Sequence, residues 1–364
     1  MTAKLFSVFD NRQLDHSPAR EMHNGGWTAH QETPARAESI SSAIGAAVSA
    51  TDWGLDPIKA VHDADYLEFL RTAYADWKSA GRDGDAIGYV WPIVGRRPLN
   101  LLRIDARLGY HSYDAGTPIA QNSWESAYWS AQTALTALDG LWSGGRKAAF
   151  ALCRPPGHHA GRDYLGGYCY LNNAAIAAKE VQRRGAGRVA ILDIDYHHGN
   201  GTQDIFYDDP DVFFASIHAD PATDYPFYWG HADERGAGAG EGATLNIPLP
   251  RGTDISGYAP ALKTALSAIT DWNADCLILS FGADTYSGDP ISFFALERGD
   301  FGSIGQQIAA LNLPTLIVME GGYATDDLGK NVAAFLAGFR VKTLGHRLIN
   351  FIQILAAASL MSAR

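Results

Sequence analysis

The feature that most constrains this chain is a series of short apolar runs, many of them separated by stretches with helical periodicity. The runs are KAAFALC (147–153), RVAILDID (188–195), VFFASIH (212–218), TLNIPLP (244–250), CLILSF (276–281) and TLIVME (315–320). Several are apolar at nearly every position, the pattern of strands buried on both faces. Helical patterns occupy NAAIAAKEVQRR (173–184), YAPALKTALSAITDW (258–272), FGSIGQQIAAL (301–311) and DDLGKNVAAFLAGF (326–339). Such alternation implies an α/β fold, with a mostly parallel sheet and helices on both faces. Function then belongs in the loops at the C-terminal ends of the strands.

The first 145 residues are less regular. Residues 57–81 form one long amphipathic helical region, and 82–122, rich in Gly, Pro and Arg, read as long loops. No repeat or linker divides the chain, so one domain is expected over 1–364. Hydrophobic residues at 46% against 19% charged are enough to fill a large core. The net charge of −11 argues against nucleic acid and points weakly to a cationic substrate. Three cysteines without CxxC spacing give neither a disulfide framework nor a thiolate metal cage. With no apolar leader and no run of membrane-spanning length, a cytoplasmic protein without a membrane partner is expected. The apolar stretch 349–361 reads as part of a C-terminal helical extension, 341–364.

Four segments at predicted strand ends carry chemistry. In RPPGHHAG (154–161) the prolines and Gly157 stiffen a loop bearing His158 and His159. In ILDIDYHHGNG (191–201), Asp193, Asp195 and His197 share one strand face. Buried carboxylates so placed require a cation or donors. In LSFGADTYSGDPIS (279–292), Asp284 or Asp289 can supply another ligand. An Asp, His, Asp set suits zinc with an open position, and its oxygen content also suits Fe(II), Co(II) or Mn(II). In MEGGYA (319–324), the Tyr323 phenol can donate to an oxyanion. Together these groups fit metal-assisted hydrolysis of a carbonyl compound.

The strings RPPGHHAG, GGYC, DYHHGNGTQDIFY, GADTYSGDPISFF and MEGGY together resemble the histone deacetylase family, most closely its acetylpolyamine amidohydrolase branch. The resemblance implies the arginase/deacetylase fold, an eight-stranded parallel sheet between helical layers. It implies zinc, or Fe(II) or Co(II) in its place, on Asp195, His197 and Asp284, with Asp193 moved out of the ligand set. His159 would be the general base and then the general acid, with Asn200 as its partner. His158, bonded to Asp193, would orient the attacking water, and Tyr323 would polarise the acetyl carbonyl. Tyr168, Tyr225 and Ile291 would wall a narrow tunnel, and the Gly167 carbonyl would take the amide N–H. Structural potassium would sit on Asp193, Asp195, His197, Ser216 and Ile217.

The resemblance also implies a small acetylated amine as substrate, and a homodimer in which the 18–36 insertion narrows the tunnel mouth. Asp105 falls at one acidic position that would hold the distal ammonium. Gly116 falls where another acidic residue is expected, with Asp114 nearby. That departure keeps open an alternative, deacetylation of acetyl-lysine in proteins or peptides. A binuclear manganese enzyme of the arginase type is disfavoured, because it would leave Tyr323 idle.

Overall fold

A computed structural model describes residues 5–93 and 96–339. In chain order its strands are β1 (Phe6–Val8), β2 (Arg20–His23), β3 (Gly26–Ala29), β4 (Ala148–Ala151), β5 (Val189–Asp193), β6 (Val212–Ala219), β7 (Thr244–Leu249), β8 (Cys276–Phe281) and β9 (Thr315–Met319). Its α-helices are α1 (Pro34–Ile44), α2 (Asp56–Lys59), α3 (Ala64–Ser79), α4 (Ile104–Tyr110), α5 (Ser123–Trp142), α6 (Asn173–Arg183), α7 (Asn200–Phe206), α8 (Ile255–Trp272), α9 (Arg298–Ala309) and α10 (Thr325–Ala337). The expected 341–364 extension lies outside the described residues.

Seven strands form one sheet in the order β1-β4-β9-β8-β5-β6-β7, and every pairing in it is parallel. Each of the six apolar runs supplies one of these strands. Among the described residues the sheet has seven strands where eight were expected. Its edge strand β1 is only three residues long and carries no readable pattern of its own.

Both faces are dry, which explains the near-continuous apolar runs. Along β5, Val189 and Ile191 pack on one side with α3, α5 and α6, while Ala190 and Leu192 pack on the other with α1, α8, α9 and α10. β8 divides the same way, with Cys276 and Ile278 against Leu277 and Leu279, and so does β9, with Leu316 and Val318 against Ile317 and Met319. Each fully buried Ile or Leu contributes about 1.5–3 kcal/mol, so the sheet centre is a stiff platform.

The first half departs from expectation in three places. The helical region 57–81 divides into α2 and α3, with Asp63 as the N-cap of α3. Helix α5 has no amphipathic signal because it is buried nearly all round, including Ser126, Ser130, Gln132 and Thr133. The 18–36 segment folds as the β2–β3 hairpin leading into α1, and its Met22 N–H bonds to the Ala115 carbonyl at 3.2 Å. No helix among the described residues is long and apolar enough to cross a membrane.

Candidate active site

Strands β4, β9, β8 and β5 are consecutive neighbours in the sheet, and the four motif loops leave their C-terminal ends. The chain therefore brings residues 154 to 323 together at one edge.

Asp195, His197 and Asp284 each offer a ligand atom, all within 4.8 Å of one another. Nδ1 of His197 is 3.3 Å from Asp195 Oδ1 and 3.2 Å from Asp284 Oδ2. Backbone N–H groups aim the carboxylates: Gly321 donates to Asp195 Oδ2 at 2.8 Å and Tyr196 donates to Asp284 Oδ1 at 3.0 Å. Burial, reinforced by the Asp195 charge, pushes the Asp284 carboxyl up to about 7. Glycine makes room for the pair. A Cβ on Gly282 would lie 2.1 Å from Asp195 Oδ2, and one on Gly321 would lie 2.5 Å from both carboxylates. Two buried carboxylates and one imidazole, packed too closely for any side chain to intervene, fit a bound divalent metal ion.

The adjacent histidines have opposite environments. His158 Nδ1 lies 2.9 Å from Asp193 Oδ2. Burial alone would lower its pKa, but Asp193 and Asp195 together push it up to about 10. His159 goes well below the ordinary histidine value, through burial and then the neighbouring His158 and His197. Its Nδ1–H donates to Asn200 Oδ1 at 2.7 Å, leaving Nε2 with a lone pair for a proton. A charged imidazole and a neutral one side by side give distinct electrostatic and basic roles.

Tyr323 follows β9, and burial pushes its phenol well above the ordinary value, so it stays a donor. Its N–H donates to Asp289 Oδ2 at 2.7 Å. The Arg36 guanidinium lies 4.8 Å from its ring centroid and bonds to the Gly322 carbonyl at 2.6 Å and the Glu320 carbonyl at 2.5 Å. The Glu320 carboxylate in turn accepts from Gly157 N–H at 2.7 Å, His158 N–H at 3.2 Å and the Ser280 hydroxyl at 3.1 Å. The β9 loop thus braces the β4 loop directly.

A family model described as the histone deacetylase domain matches residues 30–339. The chain belongs to the histone deacetylase family. It is a hydrolytic deacetylase. It is 47% identical over 340 residues to acetylpolyamine amidohydrolase 2 of Pseudomonas aeruginosa, covering 92% of this chain and 98% of that one. Acetylpolyamine amidohydrolase of Mycoplana ramosa is 46% identical, with 91% and 98% covered. The crystal structure of acetylpolyamine aminohydrolase from Burkholderia pseudomallei superposes with a TM-score of 0.88 at 41% identity, covering 92% of this chain and 98% of that one.

Around the deacetylase centre, Tyr168 meets the Tyr323 ring edge-on at 5.7 Å and Tyr225 meets His159 edge-on at 5.2 Å. Gly167 and Tyr168 both adopt positive φ, 54° and 65°. A Cβ on Gly167 would lie 2.1 Å from the His159 ring, so only glycine fits there. Tyr168 is held in its strained conformation by two bonds, from its N–H to Thr117 Oγ1 and from its hydroxyl to Glu21 Oε1, both 2.9 Å. Ile291 is half-buried, and its N–H is tied to Asp289 Oδ1 at 3.1 Å. Asp193 and Ser216 are register partners on β5 and β6, followed by Ile217; the Ser216 hydroxyl lies 2.8 Å from His218 Nδ1.

The two acidic residues that the resemblance brought into question, Asp105 and Asp114, are already engaged. Asp105, in α4, pairs with Arg82 and Arg103, each at 2.7 Å. Asp114 accepts from Gly167 N–H at 2.7 Å, the Tyr225 hydroxyl at 2.8 Å and Gly116 N–H at 3.1 Å. Sequence reasoning did not identify the bracing roles of Glu320, Asp289 and Arg36. Glu320 sits inside the MEGGYA motif, where a buried acid between a strand and a glycine pair was a readable signal. Arg36 carried none for this role, because the carbonyls of Gly322 and Glu320 that it binds lie more than 280 residues away.

Proposed function

We propose that this deacetylase is a zinc-dependent amidohydrolase that releases acetate from small acetylated amines, such as acetylputrescine or acetylcadaverine. The observation that carries the reading is the joint placement of the Asp195–His197–Asp284 trio, the His158–His159 pair and Tyr323 at one sheet edge. Zinc, with Fe(II) or Co(II) as substitutes, would be held by the trio and would polarise the acetamide carbonyl and activate water as a Lewis acid. His159, neutral and fixed by Asn200, takes the proton from the attacking water and returns it to the leaving amine. His158, held by Asp193, keeps positive charge beside that water. Tyr323 donates its phenolic hydrogen bond to the carbonyl oxygen as negative charge develops.

Tyr168, Tyr225 and Ile291 bound a slot suited to a methylene chain, and the Gly167 carbonyl accepts the amide N–H. Asp193, Asp195, His197, Ser216 and Ile217 would hold a potassium ion, which would stabilise the β5 loop. The working form is a cytoplasmic homodimer with the 18–36 hairpin at the slot mouth, and the whole chain acts as one domain. The names of the similar proteins support an amine substrate.

One observation favours the second reading, acetyl-lysine in peptides: Asp105 and Asp114 both carry other partners, and position 116 is glycine. Rates of acetate release from acetylputrescine and from an acetyl-lysine peptide separate the two. The diamine is expected to have the higher kcat/KM; a clear preference for the peptide establishes the second reading.

A further inference from the structure

We propose that His16, His30 and Glu32 form a second metal site, separate from the Asp195 trio, that takes a divalent transition ion of the zinc class and staples the 18–36 segment to the body of the protein. The three residues come from three places: the turn after the 3-10 helix Asn11–Asp15, the residue after β3, and the approach to α1. All are buried, with exposures of 0, 4 and 0%. Their ligand atoms lie within 4.8 Å of one another, with His16 Nε2 and Glu32 Oε2 3.8 Å apart.

The hydrogen-bond pattern leaves three lone pairs converging. Nδ1 of His30 lies 2.9 Å from Glu21 Oε2, an acceptor, so the ring proton is on Nδ1 and Nε2 carries a lone pair. Nδ1 of His16 lies 3.0 Å from Ser123 Oγ, which also accepts the Ala120 N–H at 2.8 Å. Burial keeps His16 neutral, and with Nδ1 donating to Ser123 Oγ its Nε2 also carries a lone pair. Glu32 receives Arg36 at 2.7 Å and Arg154 at 2.9 Å on Oε1. These arginines outweigh burial and keep the carboxylate ionised. Its Oε2, like both Nε2 atoms, has no hydrogen-bond partner among the described residues.

Three buried acceptors facing one point need a positive or hydrogen-bearing centre. A water has two hydrogens and satisfies at most two of them; a cation satisfies all three. Two imidazoles and a carboxylate, with the second nitrogen of one ring on a carboxylate and that of the other on a hydroxyl, match zinc ligation. Ligand bonds of about 2.1 Å require the trio to close by between a few tenths of an ångström and about 1 Å. The charge of Arg154 is spread over the carbonyls of Gln13, His16, Thr33 and Glu32, which tempers its repulsion of an ion. The site also adjoins the slot wall: the His30 ring meets Tyr168 edge-on at 4.9 Å, and Glu21 bonds both residues.

Elemental analysis of the untagged full chain, purified from zinc-supplemented growth and desalted, tests the proposal. Wild type is expected to hold two zinc ions per chain, and Asp284→Asn and His30→Gln one each. One ion in wild type with none in Asp284→Asn overturns the proposal and leaves the proposed function standing. One ion in both wild type and Asp284→Asn supports the second site and counts against the catalytic one. Should His30→Gln not fold, zinc-edge anomalous diffraction from wild-type crystals decides. A peak between the two Nε2 atoms and Glu32 Oε2 is expected, and density there without anomalous signal, a water only, overturns the site.

Discussion

The sheet edge that carries the chemistry and the rim that faces a substrate are built differently. At the edge, Asp195, His197, Asp284, His158 and Tyr323 sit within a few residues of strands packed on both faces, and backbone N–H groups aim the carboxylates. At the rim, Asp114, Thr117, Glu21 and Tyr168 come from loops and a hairpin that hold one another by side-chain bonds. On the proposed function, the difference teaches that the reaction is set by the platform, whereas the choice of amine is set by segments that can change without disturbing it.

That contrast can be broken by substitutions on either side. Asp284→Asn removes a proposed metal ligand and is expected to reduce turnover by about 1,000-fold or more, several kcal/mol of transition-state stabilisation. A bound-metal assay alongside the kinetics checks the cause. Tyr323→Phe and His159→Ala should each cost about 100-fold or more, mainly in kcat. Near-normal rates in either would remove the role assigned to it.

On the rim, Asp114→Ala leaves the Gly167 N–H without its acceptor, while the Tyr225 hydroxyl keeps its bond to the Tyr113 hydroxyl. The expected loss is about 10-fold in kcat/KM, the effect of one unmade buried hydrogen bond, and it should appear mostly in KM. Asp105→Asn is expected to change kcat/KM by less than about 2-fold, because Asp105 is spent on surface arginines whose pairing is worth little. A large rise in KM for acetylputrescine, absent for an acetyl-lysine peptide, would instead return Asp105 to the amine-binding role that the family resemblance implies.

Legibility in the sequence followed the same division. All six apolar runs became strands of the parallel sheet, because burial on both faces writes itself as continuous hydrophobicity. The period-2 rule put Asp193, Asp195 and His197 on one strand face, but β5 ends at Asp193 and the other two lie in the loop after it, which brings them beside Asp284; the family resemblance separated Asp193 from the ligands, and in the structure Asp193 bonds His158. What stayed hidden depends on long-range partners. Helix α5 was masked by its all-round burial, Arg36 by a sequence separation of 286 from Gly322, and the engagement of Asp105 by a separation of 23 from Arg82.

The most direct test of the account is acetate release from acetylputrescine by protein depleted of metal and then titrated with Zn(II). The account predicts that depletion lowers turnover by about 100-fold or more and that zinc restores it in wild type but not in Asp284→Asn. Full turnover by metal-free protein, or equal rescue of Asp284→Asn, would contradict it.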